Sequence, residues 1–326
     1  MLKLKYLFEN YELTKEALKN WKHDVDTLDQ MLSQFRISSN AIYPFTQGGK
    51  VCFLRLAPIE EKMEKNVAGE MEFIDFLVHR GYPALEPLKA KTGDVFLKIS
   101  TQWGEYFATA FRRVCGIPIE DTDFSSEIVF EYGKALGKLH ALSAEHIPKH
   151  KKWTHVDVLE WIELTLREYR AKDDIMAALS VLKKGLSTLS VHKGNYGLIH
   201  YDFEVDNVFF DKENGTCAVI DFDDSMYHWY VLDIEQVFES LKGELNGEAL
   251  EAAKNLFIDG YRKEHSYTEE METIRPLMRR FIDLYGYARL IRCVAEKFSD
   301  EPEWLVTLRK KLDNIIVDKE TAITNY

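Results

Sequence analysis

Three polar side chains, Asp202, Asn207 and Asp221, stand in one stretch between Leu198 and Ser225. They are carried on β-branched and aromatic runs that read L-I-H-Y-D-F-E-V-D-N-V-F-F-D and then A-V-I-D-F-D-D-S. Their types and order suit one task, holding magnesium and a hydroxyl beside a nucleotide phosphate. Phosphoryl transfer asks little covalent chemistry of a protein. It needs placement, charge neutralisation and one acceptor for the proton of the attacking hydroxyl. A carboxylate at Asp202 could orient that hydroxyl and take its proton. The amide oxygen of Asn207 and the carboxylate of Asp221 are hard oxygen donors of the kind magnesium prefers, leaving its other positions to water and phosphate.

These groups meet only if the chain between them folds back. I-H-Y-D reads as a strand end plus loop, residues 207–210 as a strand, 212–215 as a turn and 217–220 as the returning strand. Such a hairpin brings Asn207 and Asp221 to the same end of a strand pair. Each piece has a plainer reading alone. An H-x-D at a strand end is usually a hydrogen-bonded pair, Asp and Asn beside Gly are usually turn residues, and Asp233 at a helix start could be an N-cap.

H-x-D-x-x-x-x-N followed by I-D-F resembles the catalytic loop and metal-binding segment of the protein-kinase-like superfamily. It is most similar to the aminoglycoside phosphotransferase and choline kinase branch. The resemblance is carried in order by Leu136-Gly-Lys-Leu-His140, Leu198-Ile-His-Tyr-Asp202, Ile220-Asp-Phe-Asp-Asp224 and Leu232-Asp-Ile234, and it spans most of residues 20–300. It implies an α+β, protein-kinase-like fold with a cleft between two lobes. Residues 1–109 would form a small nucleotide-binding lobe of sheet plus helix. Residues 110–326 would form a larger, mainly helical catalytic and substrate-binding lobe. It implies ATP and Mg2+ as cofactors, Asp202 as the catalytic carboxylate, and Asn207 with Asp221 as metal ligands. By the same resemblance His200 packs behind the loop and holds backbone groups, and Asp233 steadies that loop, a reading that stands beside the N-cap.

In the small lobe, Arg55 sits where the superfamily has a lysine touching the α- and β-phosphates, and Glu70 where it has that lysine's partner carboxylate. A surface salt bridge of small value is the alternative. Arginine is a planar fork and not a point charge, so the departure changes geometry while still offering donors to phosphate oxygens. Residues 109–112, with Ala110 and Arg112, would be the hinge that binds adenine through backbone groups. The turn Thr46-Gln-Gly-Gly-Lys50 would lie over the phosphates.

Periodicity supplies the elements that must position these groups. A helix is expected over 14–21, then strands over 37–45 and 51–56 around the 46–50 turn. Met63, Val67, Met71, Ile74 and Leu77 recur near helical spacing and predict an amphipathic helix within 60–80. Strands follow over 82–98, with a Thr92-Gly-Asp turn, and over 106–112. Beyond residue 113 a period near 3.6 predicts helices over 124–143, 156–169, 175–191, 231–241, 247–264, 271–298 and 303–316. Gly133-Lys-Ala-Leu-Gly137-Lys138 imitates a phosphate-binding loop, but it is one residue short, lacks the final Ser/Thr and lies inside a helix, so helix packing is the better account.

With 326 residues, 46% of them hydrophobic, the chain can bury a large core in two lobes. A formal net charge of -12 argues against a nucleic-acid partner and is compatible with a cationic small substrate. Cys52, Cys115, Cys217 and Cys293 form no C-x-x-C pair, and the ten histidines show no ligand spacing. A disulfide framework and a zinc site are both unexpected, and the cytoplasm is the expected compartment. No apolar run reaches membrane length, and the N-terminus is too interrupted by charge for a signal sequence. No G-x-S-x-G elbow supports a serine hydrolase.

The acceptor class follows from what comes after Asp221. Protein kinases carry a long activation segment ending in A-P-E, whereas here 221–224 runs almost directly into the helix at Leu232. A small-molecule hydroxyl, aminoglycoside-, choline- or homoserine-like, is therefore the expected acceptor. Glu204, Asp206, Asp223 and Asp224 crowd the mouth and would suit an amine or a polyol. Glu204 and Asp223 are the candidate substrate contacts, with Asp223 also a candidate second metal ligand. Solvated loop acids are the plainer reading of Glu204 and Asp206. Tyr285, Arg289 and Arg292 could line the acceptor pocket. Two other readings stay open: a nucleotide-binding regulator without catalysis, suggested by Arg55 and by Tyr201 where glycine is common, and a Ser/Thr protein kinase of the same fold. Oligomeric state leaves no signal.

Overall fold

The structure, a computed structural model, describes residues 3–4, 10–37, 40–297 and 299–325. It begins with α1 (Tyr11–Leu18), started by Asn10, whose side chain accepts from Leu13 N at 2.9 Å. A short α2 (Leu28–Leu32) leads to β1 (Arg36–Ile37), β2 (Ala41–Gln47) and β3 (Lys50–Pro58). The helix predicted within 60–80 forms as α3 (Glu64–His79), and β4 (Pro87–Leu88), β5 (Phe96–Thr101) and β6 (Gly104–Arg112) complete an antiparallel sheet. Its order is β1-β2-β3-β6-β4, with β5 also on β6. Leu13, Leu18 and Trp21 pack with Tyr43, Phe45, Leu54 and Ala108 to close one face of it.

Two expected strands come out divided. Residues 37–45 split around Asn40, with Ile37 paired to Ala41, and residues 38 and 39 of that span lie outside the described residues. The span 82–98 is interrupted by Pro83, which cannot donate to a ladder, and by the 92–94 turn, where Gly93 has φ 96°, so only β4, with Pro87 at its first position, and the start of β5 pair in the sheet. The sheet also runs past residue 109 to Arg112 before the chain leaves it.

The larger part opens with β7 (Ile117–Pro118), α4 (Ser126–Glu145), α5 (His155–Glu168) and α6 (Asp173–Ser187). Four short strands follow: β8 (Tyr196–Ile199), β9 (Val208–Asp211), β10 (Thr216–Val219) and β11 (Met226–Trp229). β7 adds to the β9–β10 hairpin, and β8 pairs with β11, a pairing the periodicity did not reveal. Then come α7 (Val231–Glu244), α8 (Gly247–Tyr261), α9 (Glu269–Val294) and α10 (Glu303–Thr324). The helix expected to reach 298 stops at Val294, and residue 298 lies outside the described residues.

The glycines that imitate a phosphate loop do pack helices. A Cβ on Gly133 would collide with the backbone of Phe257, and one on Gly260 with the backbone of Phe130, so α4 and α8 cross at backbone contact. The main core joins α3 to the helical part. Phe73 of α3 meets Phe222 edge-on at 6.0 Å, and Phe222 meets His200 at 4.7 Å. Packing thus runs from the small sheet's helix into the loop that carries Asp202.

Candidate active site

The β9–β10 register sets the first two metal-type donors. Val208 pairs with Val219, and Ile220 N donates to Asn207 O at 3.0 Å, so Asn207 and Asp221 leave the hairpin at one end. Asn207 Nδ2 donates to the Asp202 carbonyl at 3.0 Å and to Asp202 Oδ2 at 3.1 Å. That commitment turns the amide's remaining atom, Oδ1, into the oxygen donor. Asp202, Asn207 and Asp221 are therefore brought together.

Two residues here carry left-handed backbone, Tyr201 at φ 70° and Asp221 at φ 61°. For such side chains this costs on the order of 1–3 kcal/mol each and persists only where the surroundings dictate it. The surroundings do. Asp233 Oδ1 accepts from Tyr201 N at 2.7 Å, Asp233 Oδ2 accepts from His200 N at 2.8 Å, and Gln236 Nε2 donates to Tyr201 O at 2.6 Å. Asp233 lies in the first turn of α7, yet its oxygens serve the 200–201 backbone and His140 Nε2 at 3.1 Å, not the helix start. The loop-steadying geometry is present and the N-cap geometry is not.

His200 closes the loop from below. Its Nδ1 accepts from Asp202 N at 3.2 Å and its Nε2 lies 2.9 Å from Ile220 O, an arrangement met only by the neutral Nε2–H tautomer. Burial draws its pKa down to about 4, which agrees.

The carboxylates diverge in their electrostatics. Burial, and then Glu204, Asp224 and Asp221, hold Asp202 well above the usual range. Burial and the neighbouring Asp223 push Asp221 up to about 6 against the pull of Arg55. Asp223 goes the other way: burial opposes its charge, but Lys62, Arg55 and Lys152 overcome that and hold it below the usual range. Its carboxylate pairs with Lys62 Nζ and accepts from Asn40 Nδ2 at 3.1 Å. Asp223, expected as a candidate substrate contact or second metal ligand, is thus engaged by Lys62 and Asn40. Lys152 Nζ donates to Phe222 O at 3.2 Å and to Asp223 O at 2.8 Å, bracing the 221–224 segment. Neither lysine stood out in the sequence, because E-E-K-M-E-K and K-H-K-K read as solvated charge runs.

Arg55 and Glu70 are no surface pair. Both guanidinium ends donate to Glu70 at 2.7 Å, Arg55 Nε donates to Thr109 Oγ1 at 3.1 Å, and both partners are buried. Burial works against the Arg55 charge, but Glu70 more than compensates and raises its pKa. The 46–50 turn does not lie at this end of the sheet. Arg55 pairs with Ile42, next to the β1–β2 connection, while the N–H groups of Gly48 and Gly49 are taken by the Asp24 carboxylate at 3.0 and 2.9 Å. Ala110 sits inside β6 between Leu54 and Leu88, and Arg112 N donates to Glu86 O at 3.0 Å. Arg113 N still donates to Val51 O of β3 at 3.3 Å, so the whole of 109–112, expected as the hinge, is held in the sheet.

Two cavities meet at the ion pair between Arg289 and Asp224, 2.6 Å long. One, of about 550 Å³, contains Asp202 and Asp206. The other, of about 410 Å³, contains Lys62, Lys152, Trp161, Tyr285 and Arg292, the last bonded to Glu61 at 2.7 Å. Arg289 lines both, whereas Tyr285 and Arg292 line only the second. Glu204 stays half-buried, its pKa raised by burial and Asp206.

Two lobes with this site between them define a kinase-like phosphotransferase architecture. A family model described as the phosphotransferase enzyme family matches residues 33–267, and the chain belongs to that family. Amicoumacin kinase of Bacillus subtilis (strain 168) is 22% identical over 322 residues, covering 95% of this chain and 94% of that protein. An amicoumacin kinase solved with AMP-PNP, Ca2+ and Ami superposes with a TM-score of 0.77 at 19% identity, covering 97% of this chain and 95% of that one. A microcompartment-associated aminopropanol kinase superposes at 0.71 with 17% identity, covering 93% and 94%. The α+β, protein-kinase-like fold is thereby established, and the chain is a phosphotransferase.

Proposed function

We propose that this protein transfers the γ-phosphate of ATP, with Mg2+, to a hydroxyl of a small molecule. The observation that carries the proposal is the meeting of Asp202, Asn207 and Asp221 at one end of the β9–β10 hairpin, with Asp202 in the wall of a cavity. The donor set suits magnesium: one committed amide oxygen and one carboxylate short of positive partners, with room for phosphate and water. Bound there, the cation would neutralise charge on the phosphates.

The remaining work falls to the chain's own side chains. Asn207 holds the Asp202 carboxylate by an N–H hydrogen bond, so that its other oxygen can accept the proton of the acceptor hydroxyl. A raised Asp202 pKa brings that base nearer working pH. Arg55, fixed by Glu70 and Thr109, keeps N–H groups on Nη1 and Nη2 for phosphate oxygens. Residues up to Arg112 would serve the nucleotide, and the part beyond them catalysis and the acceptor. The relatives named above as amicoumacin and aminopropanol kinases support a small-molecule acceptor. Among the described residues no helix is long and apolar enough to cross a membrane, and the four cysteines are free, in keeping with a cytoplasmic site of action.

Purified protein incubated with labelled ATP, Mg2+ and a panel of amino alcohols, aminosugars, homoserine and generic protein substrates tests this reading. Label on a small molecule is expected. Label on protein would favour the protein-kinase reading, and nucleotide binding without any transfer the regulator.

A further inference from the structure

We propose that residues 146–153, between α4 and α5, form a strap that positions the Arg55–Glu70 pair and the 221–224 segment together, with Lys152 the positioning residue at its junction; this rests on the phosphotransferase reading above. Asn66, Gly69, Glu72, Phe73 and Phe76 share one face of α3, and the strap lies along it. Trp153 N donates to Asn66 Oδ1 at 3.2 Å. Glu72 accepts from Lys149 N at 2.6 Å and from His150 N at 2.9 Å, with His150 Nδ1 at 3.0 Å. His146 sets its ring edge-on to Phe73 and Phe76, at 5.2 and 5.0 Å. A Cβ on Gly69 would stand 2.5 Å from His150 O and 2.8 Å from Lys152 Cγ, so glycine is what lets the strap this close. The next residue is Glu70, whose carboxylate holds Arg55.

The other side of the strap meets the metal-type donors. Lys152 Nζ donates to the carbonyls of Phe222 and Asp223, the two residues directly after Asp221. Its stem meanwhile lies against Gly69, one residue from Glu70. A single side chain therefore spans α3 and the 221–224 segment. The charge it brings is not what packing alone would select. Lys152 is only 4% exposed and forms no ion pair among the described residues. Burying an ammonium group without a carboxylate in salt-bridge contact works against folding, and an apolar chain of similar length would fill the same space. A side chain that breaks this local rule marks a place where position matters more than stability. Here the position is that of the carbonyls that follow Asp221.

The test measures ATP affinity by calorimetry, in EDTA and then in Mg2+, for the intact protein and for variants whose melting temperatures are also read. Lys152→Met keeps the stem and removes the donors. It should melt within about 2 °C of the intact protein and bind ATP equally well in EDTA. Its gain in affinity from Mg2+ should be about tenfold smaller. Glu72→Ala touches neither Arg55 nor the 221–224 segment, yet it should shrink that gain about threefold, and Glu72→Gln less. Because one strap carries both effects, the double variant should lose less than their product. A Lys152→Met protein that melts well below the intact one would mean the lysine serves the fold, and the inference fails. An unaltered Mg2+ gain in Lys152→Met or in Glu72→Ala overturns it equally. Transfer of label from ATP to the small-molecule panel by the intact protein judges the phosphotransferase reading separately. With transfer present and the Mg2+ gain indifferent to both variants, that reading stands and the strap falls. With neither transfer nor a Mg2+ gain in the intact protein, both fall.

Discussion

Around the catalytic loop, charge is held by backbone, whereas in the small lobe charge is held by charge. Asp233 spends its carboxylate on two main-chain N–H groups and His140, and thereby fixes the left-handed turn at Tyr201. Arg55 and Glu70 spend theirs on each other, buried between sheet and α3. The first arrangement sets a backbone conformation and leaves Asp202 available to a ligand. The second places a cation and ties its stability to its partner. The two regions should therefore fail differently when cut.

The largest effect belongs to the loop. Asp202→Ala should lower turnover about a thousandfold while Mg-ATP stabilisation, read by thermal shift, stays nearly intact. Equal turnover in that variant would remove Asp202 from the chemistry. In the small lobe, Glu70→Ala should cost about 3–5 kcal/mol of stability in denaturant unfolding, since it strands a buried guanidinium. The double change Arg55→Met with Glu70→Leu should recover most of that stability without recovering ATP affinity. If the single variant unfolds like the parent, the pair is not the buried unit described.

Acid should separate the regions next. His200 is neutral in the fold with its pKa at about 4, below its ordinary value of 6.5. The unfolded chain binds the proton first, so its contribution is intact above pH 6.5 and is lost as pH falls toward 4, by about 3 kcal/mol. His140, also lowered by burial, adds in the same direction. Chemical denaturation at several pH values would show it, and His200→Asn should blunt the slope. Asp233→Asn is milder, with about 2 kcal/mol lost and a drop in turnover larger than any change in ATP affinity. Smallest of all, Asp24→Ala should leave the KM for ATP unchanged, because the Gly48–Gly49 turn lies at the far end of β3 from Arg55. A raised KM would return that turn to the phosphates.

Much of the loop was legible because its chemistry is local. Asn207 and Asp221 flank one hairpin, whose register the turn at 212–215 fixes, and Asp202 lies in the loop just before it. Most helices were legible from their period to within about four residues at their ends, but α10 runs to Thr324, well past the expected 316, and the short α2 was not foreseen. What escaped depends on distant chain. Lys62 and Lys152 lie far apart in sequence and meet only through the 222–223 segment, and their runs look like ordinary solvated charge. The β8–β11 pairing joins two short apolar runs without turn chemistry between them. The partners of Asp223 escaped because Lys62 and Asn40 lie far from it in sequence. The 46–50 turn was misplaced because a Gly-Gly turn announces its shape and not the end of the sheet it occupies.

Crystals grown with a non-hydrolysable ATP analogue and Mn2+ would locate the cation by its anomalous signal. The account requires a peak about 2.1 Å from Asn207 Oδ1 and from one Asp221 oxygen, beneath the phosphates and beside a carboxylate of Asp202 turned to the cavity. A cation held by Asp223 and Asp224 with Asn207 uninvolved, or phosphates lying away from the β9–β10 hairpin, would contradict it.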